Sequence, residues 1–147
     1  MSRTQGRRGF TLLEVTIVVL CLALMATIIV PHVGGAARNA REAVLRADLY
    51  RLRLAIETFR AHVGGQPRRL TDLLRISPPS RACLPPDGRL ITVLPGTYHG
   101  PYLTTPDGGL PVDPVTRARD WVYDRGTGHV RSAATGLGSD GTYYGTW

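Results

Sequence analysis

The chain has 147 residues, of which 43% are hydrophobic and 20% are charged, so it can form one domain and is neither disordered nor collagen-like. All 18 basic residues are arginines, and 11 acids leave a formal net charge of +7. The two cysteines, Cys21 and Cys83, are too few for a disulfide framework. Composition therefore excludes disulfide scaffolds and most metal clusters, but it does not exclude a membrane protein.

An apolar run dominates the N-terminal part of the chain. Glu14 is the only charged residue between Phe10 and Val30, and residues 15–30 are uninterrupted by charge. A helix of this length spans about 30 Å, the thickness of the hydrocarbon core of a bilayer. We therefore predict that residues 10–31 form a transmembrane half of a longer N-terminal helix.

The residues before this run are short, polar and basic, and they end at Gly9. Cleavage after Gly9 would remove a leader of residues 1–9 and leave a positive amine on Phe10. An unpaired carboxylate in a membrane is costly, and this amine would lie at the depth of Glu14 in a neighbouring copy. We predict that Phe10 and Glu14 pair during subunit assembly and set the stagger between subunits.

The motif Gly9-Phe10-Thr11-Leu12-Leu13-Glu14-Val15 resembles the class III signal of type IV pilins and type II secretion pseudopilins. Pro31, at position 22 counted from Phe10, stands where this family commonly has a proline. The resemblance implies that an aspartyl prepilin peptidase cleaves between Gly9 and Phe10 on the cytoplasmic side and then N-methylates Phe10.

Two other interpretations of the N-terminus stay open. Arg7 and Arg8 match part of a twin-arginine export signal, and the small residues 35–37 could serve as its cleavage site. A plain membrane anchor would explain the apolar run alone. Neither interpretation gives a reason for a carboxylate at position 14.

An amphipathic pattern follows, and we predict that residues 32–63 continue the helix as its amphipathic half. One apolar stripe recurs at helical spacing: Leu45, Leu49, Leu52, Ile56, Phe59 and Val63. The charged residues lie mostly off this stripe and are predicted to form a solvated face: Arg41, Glu42, Arg46, Asp48, Arg51, Arg53, Glu57 and Arg60. Few aromatic residues are interleaved with the arginines, which argues against nucleic-acid binding.

Between the two helical patterns lie Pro31, Gly34 and Gly35. Proline removes a helical hydrogen bond and glycine weakens the helix further. We expect a kink or a locally melted stretch, and the family resemblance implies a hinge that unwinds on packing. A static break in the helix is the alternative.

Residues 64–147 are predicted to form a globular, loop-rich domain. A short turn and helix at 66–74, with Thr71 as a capping residue, precede a proline-rich segment, in which Cys83 is predicted to be a free thiol in a loop. Strands are expected at 90–94, 98–104, 121–123 and 129–132, the last two as a hairpin. Together these elements predict an α+β, type IV pilin-like fold, in which the long helix packs on a small antiparallel sheet.

Short landmarks in this region are similar to those of the major pseudopilin family of type II secretion: Tyr102-Leu103, Pro111 to Pro114, Trp121 to Tyr123, Ser132, Gly138 to Gly141, and Trp147. The resemblance implies a calcium-binding C-terminal loop, in which Asp140 matches the first acidic position. Residues 141–147 contain no acidic side chain, however, and calcium prefers six to eight oxygen ligands. The alternative is an Asp-Gly turn followed by aromatic residues that pack on the sheet or contact another subunit.

The functional hypothesis is structural and not enzymatic, since no catalytic constellation stands out. The resemblance implies a homo-oligomeric pseudopilus, with a prepilin peptidase, an inner-membrane assembly platform and minor pseudopilins as partners. It also implies a single-pass subunit in the bacterial inner membrane whose C-terminal domain lies in the periplasm. A type IV pilus subunit and a membrane-anchored periplasmic enzyme are the alternatives.

Overall fold

The computed structural model describes residues 11–147, except for the side chains of residues 27–34. The predicted cleavage site at Gly9 and Phe10 lies outside the described residues. Helix α1 covers Leu12–Val63 and crosses the boundary between two compact units, the first ending at Arg38 and the second covering Asn39–Trp147.

The second unit contains five short strands, β1 to β5, and three 3-10 helices after α1. The strands are β1 (Gln66–Pro67), β2 (Arg81–Leu84), β3 (Arg89–Thr92), β4 (Val122–Tyr123) and β5 (Val130–Arg131). The 3-10 helices cover Leu70–Leu74, Pro95–Thr97 and Tyr144–Thr146. Strands β1, β2 and β3 form one antiparallel sheet in that order, and β4 pairs with β5 in a separate hairpin.

The predicted apolar stripe of α1 is the core of the second unit. Its side chains are almost completely buried from Leu45 to Phe59, and they pack with Leu73, Ala82 and Val130 from the globular part. Gly64 ends the helix with a φ of 78°, and its N–H donates to the Arg60 carbonyl at 2.8 Å. This left-handed conformation suits glycine because it has no Cβ. The predicted α+β fold is confirmed.

Four finer predictions need correction. One sheet was expected, but the strands form two. Residues 98–104 are not a strand, because the N–H groups of Tyr102 and Leu103 both donate to the Leu73 carbonyl instead of to a strand partner. Thr71 does not cap the 3-10 helix; Asp72 does, accepting the Arg69 N–H at 2.9 Å. Cys83 lies on β2 and is buried, so it is not a loop thiol.

Candidate functional site

The N-terminal end of α1 is capped by Thr11. The Glu14 N–H is 3.3 Å from the Thr11 hydroxyl and 3.0 Å from the Thr11 carbonyl oxygen, which is one half of the capping-box arrangement. Glu14 is exposed in the first helical turn, where the helix dipole favours a negative charge. At this position a carboxylate stabilises the helix end, independently of the predicted pairing with Phe10.

The apolar side chains of the first unit are exposed wherever they are described. Residues 11–26 are all exposed, and Leu12, for example, is 83% accessible. Within the described residues, we find no helix with a stretch both long enough and apolar enough to cross a membrane. Part of the predicted transmembrane half, residues 27–31, has no described side chains.

The predicted hinge lies within α1. The described backbone is helical through Pro31, Gly34 and Gly35, so no melted stretch interrupts it. A Cβ added at Gly35 would have no atom within 4 Å. Packing inside the chain therefore does not require glycine at position 35, and a hinge role stays a prediction.

In the second unit, Glu42 receives hydrogen bonds from the far end of the chain. It is only 1% exposed. The Ser139 N–H lies 2.9 Å from one carboxylate oxygen and 3.1 Å from the other, and the Ser139 hydroxyl donates as well. The Tyr144 hydroxyl donates at 2.9 Å. Glu42 therefore fastens residues 136–147, here called the C-terminal loop, to α1.

A second set of contacts joins Arg46 to the same loop. One guanidinium nitrogen of Arg46 lies 2.7 Å from Asp140 Oδ2. The guanidinium carbon lies 3.9 Å from the centroid of the Trp147 ring, which is within cation–π distance. Arg53 also donates to the main-chain carbonyl of Trp147. The Trp147 ring in turn packs edge-on against Tyr144, with 5.0 Å between centroids.

Asp113 forms a third polar anchor, in the middle of the globular part. Its carboxylate is fully buried and accepts the N–H groups of Val115 at 2.7 Å and Thr116 at 3.2 Å. The buried hydroxyl of Ser132 donates to the other oxygen. Ser132 is therefore a structural donor, and nothing in this arrangement leaves its oxygen available as a nucleophile.

The prediction of a uniformly solvated charged face on α1 is wrong for two residues. Glu42 and Asp48 are both buried in the second unit. Sequence did contain a signal for Glu42: it lies three positions before Leu45 and seven before Leu49, so the apolar stripe extended by one step passes through it. A charged residue on a buried stripe indicates a polar partner from elsewhere in the chain.

Asp140 is the residue that the family resemblance implies as a calcium ligand. Both oxygens of Asp140 are engaged, Oδ2 by Arg46 and Oδ1 by the N–H and hydroxyl of Thr142 at 3.0 and 2.7 Å. These hydrogen bonds from Thr142, followed by the charge of Arg46, lower the pKa of Asp140 below its ordinary value. Among residues 11–147, no cluster of three or more His, Cys, Asp or Glu side chains is placed to hold a metal.

Comparison with known proteins finds a family model that matches the N-terminal region and a relative that matches most of the chain. The family model of the prokaryotic N-terminal methylation motif matches residues 4–30. The chain is also 25% identical over 126 residues to a type II secretion system core protein G of Klebsiella michiganensis. The aligned region covers 82% of this chain and 89% of that protein. The predicted resemblance to type IV pilins and to the type II secretion major pseudopilin is confirmed. No solved structure matches the chain.

Proposed function

We propose that the chain is a structural subunit of a periplasmic pseudopilus in a type II secretion system. The observation that carries this proposal is the N-terminal methylation motif over residues 4–30, on a chain similar along most of its length to a core protein G. The pilin-like arrangement of a 52-residue helix and small antiparallel sheets supports the same role.

The exposed apolar side chains of the first unit need a partner that excludes water. Leu12, Leu20, Leu22 and Leu24 are each more than 60% exposed in the single chain, and soluble monomers rarely expose a continuous apolar surface of this kind. We propose that lipid of the bacterial inner membrane covers it first, in a single-pass orientation, and that neighbouring copies cover it in the filament.

Processing precedes assembly in this proposal. A prepilin peptidase cleaves between Gly9 and Phe10 and N-methylates Phe10, and an assembly platform in the inner membrane then adds the subunit beneath minor pseudopilins. Filament growth would move secreted substrates toward an outer-membrane channel. The chain itself has a structural and not an enzymatic role.

Substitutions at Glu14 test how assembly works. If pairing with the Phe10 amine requires a negative charge, Glu14→Ala and Glu14→Gln should both lose filament assembly, by at least tenfold, and still insert into the membrane. If Glu14 serves only as a capping residue, Glu14→Gln should assemble, because glutamine also fits this position of the capping box. The measurement is the yield of sedimentable filaments divided by the amount of membrane-bound subunit.

Glu57→Gln is a matched control, because Glu57 is an exposed glutamate of the same helix that lies 3.6 Å from Arg60. It should assemble normally. Normal filament yield from Glu14→Ala would contradict the pairing.

The mass and N-terminal sequence of the chain from native membranes test the proposed function itself. A start at methylated Phe10 is expected for a filament subunit. A start near Arg38 would indicate an exported soluble protein, and a start at Met1 or Ser2 would indicate an unprocessed anchor. Either result would overturn the proposal.

A further inference from the structure

The C-terminal loop, residues 136–147, is closed by its own hydrogen bonds. The Gly138 N–H donates to the Thr142 carbonyl at 2.7 Å, and the Tyr144 N–H donates to the Gly136 carbonyl at 3.1 Å. The indole N–H of Trp147 donates to the Thr142 hydroxyl at 2.5 Å. These contacts define the loop's shape and place Asp140 and Trp147 near the same side chain of α1.

That side chain is Arg46, and it supplies the positive charge beside the loop's acidic residue. Its guanidinium contacts the Asp140 carboxylate at 2.7 Å and lies over the Trp147 ring at 3.9 Å. A planar guanidinium can make an ion pair and stack on an aromatic face together, which a lysine ammonium does less well. Arg46 thus joins two residues of the loop to α1.

A divalent cation would have to compete with these contacts. Asp140 is the only acidic residue of the loop, and calcium sites usually combine several carboxylates among six to eight oxygens. Glu42, which also contacts this loop, already accepts hydrogen bonds from Ser139 and Tyr144 on its two oxygens. The adjacent charge of Arg46 would repel a dication that approached Asp140.

We propose that Arg46 is the cation that fixes the C-terminal loop, so that this chain folds without calcium. This inference goes beyond the proposed function, because it concerns how the globular part is stabilised whatever the filament does. It assigns to one arginine of α1 the stabilising role that the family resemblance gives to a bound metal.

The first arm of the test compares calcium with its removal on the full chain in detergent. We expect the Tm of the unsubstituted chain to change by less than about 1 °C between millimolar CaCl2 and EGTA, since a ligand stabilises only the state it binds. Isothermal titration with CaCl2 should give no saturable heat. A rise of several degrees with calcium, or a saturable heat, would overturn the proposal.

The second arm removes the arginine charge. Arg46→Gln should lower the Tm by about 4 °C, because an exposed ion pair and a cation–π contact are both lost. Arg46→Lys should retain part of the stability. Arg60→Gln is the matched control: Arg60 is an exposed arginine of the same helix, 3.6 Å from the exposed Glu57, and its loss should change the Tm by less than about 1 °C. Equal Tm values for Arg46→Gln and Arg60→Gln would also overturn the proposal.

Discussion

Glu14 and Glu42 lie on the same helix in opposite surroundings. Glu14 is exposed, and the contacts found for it are with the backbone and hydroxyl of Thr11. Glu42 is buried and receives hydrogen bonds from Ser139 and Tyr144, which lie 97 and 102 residues later in the chain. The carboxylate of Glu42 thus has partners within the globular unit, whereas the side chain of Glu14 is exposed. The proposed pairing with Phe10 would make Glu14 a residue of assembly, whereas Glu42 is a residue of folding.

The strongest way to break this comparison is to remove Glu42. Glu42→Ala leaves the donors of Ser139 and Tyr144 without their acceptor, and we expect a loss of about 3 kcal/mol in the free energy of unfolding. This corresponds to a fall in Tm of about 10 °C, measured by circular dichroism on the full chain in detergent. The Tm of Glu42→Gln should lie between those of Glu42→Ala and the unsubstituted chain, because glutamine keeps one carbonyl acceptor.

The matching substitution Glu14→Ala should leave the Tm of the dispersed subunit nearly unchanged and affect assembly alone. The division between folding and assembly residues is incorrect if the Tm of Glu42→Ala lies within about 2 °C of that of the unsubstituted chain. It is also incorrect if Glu14→Ala has a much lower Tm than the unsubstituted chain.

Tyr98 sharpens the comparison, because it is another buried polar anchor of the globular unit. Its hydroxyl donates to the Arg75 carbonyl at 2.5 Å and lies 3.3 Å from the Asp72 carbonyl, while its ring packs edge-on against Phe59. Tyr98→Phe keeps the ring and removes the hydroxyl, so we expect a loss of about 1 kcal/mol in unfolding measurements. Tyr143→Phe, at an exposed tyrosine, should cost almost nothing. A Tyr98→Phe variant as stable as Tyr143→Phe would show that these bonds contribute little.

Asp48 lies on the same helix and is buried like Glu42. Its substitution has the smallest expected effect on the Tm. Burial raises the pKa of Asp48, Arg51 opposes this rise, and the charge of Asp113 adds to it. A raised pKa in the folded state means that folding favours the protonated acid. The charged form therefore reduces stability as pH rises above the ordinary value near 3.8.

Asp48→Asn should consequently raise the Tm at pH 7 by about 2 °C or less. The gain should disappear well below pH 3.8, where Asp48 is protonated in both the folded and the unfolded chain. The measurement is a pair of thermal melts of each chain at the two pH values. A gain at low pH but none at pH 7 would reverse the assigned sign.

Local patterns were predictable from the sequence. The apolar stripe from Leu45 to Phe59 and the hairpin of β4 and β5 depend on spacings and turn residues that lie within a few positions of each other. The N-terminal motif is equally local, which is why a short segment indicates the family. In these places one short window of sequence holds all the information that decides the structure.

Other features depend on residues that are distant in the chain. Nothing near Glu42 in sequence indicates Ser139 or Tyr144, and nothing near Arg46 indicates Asp140. The segment 98–104 has the aromatic composition of a strand, but its backbone bonds to Leu73 of the 3-10 helix. Long-range partners of this kind become visible only when the whole fold is known.

The distance in sequence between Glu42 and Ser139 has a consequence for biosynthesis. Ribosomes add about 5–20 residues per second, so Glu42 is translated roughly 5–20 s before the donors that satisfy it. Throughout that interval the Glu42 carboxylate lacks the hydrogen bonds from Ser139 and Tyr144. A chain that stops before Ser139 never completes this contact, and we expect cellular proteases to degrade it faster than the finished subunit.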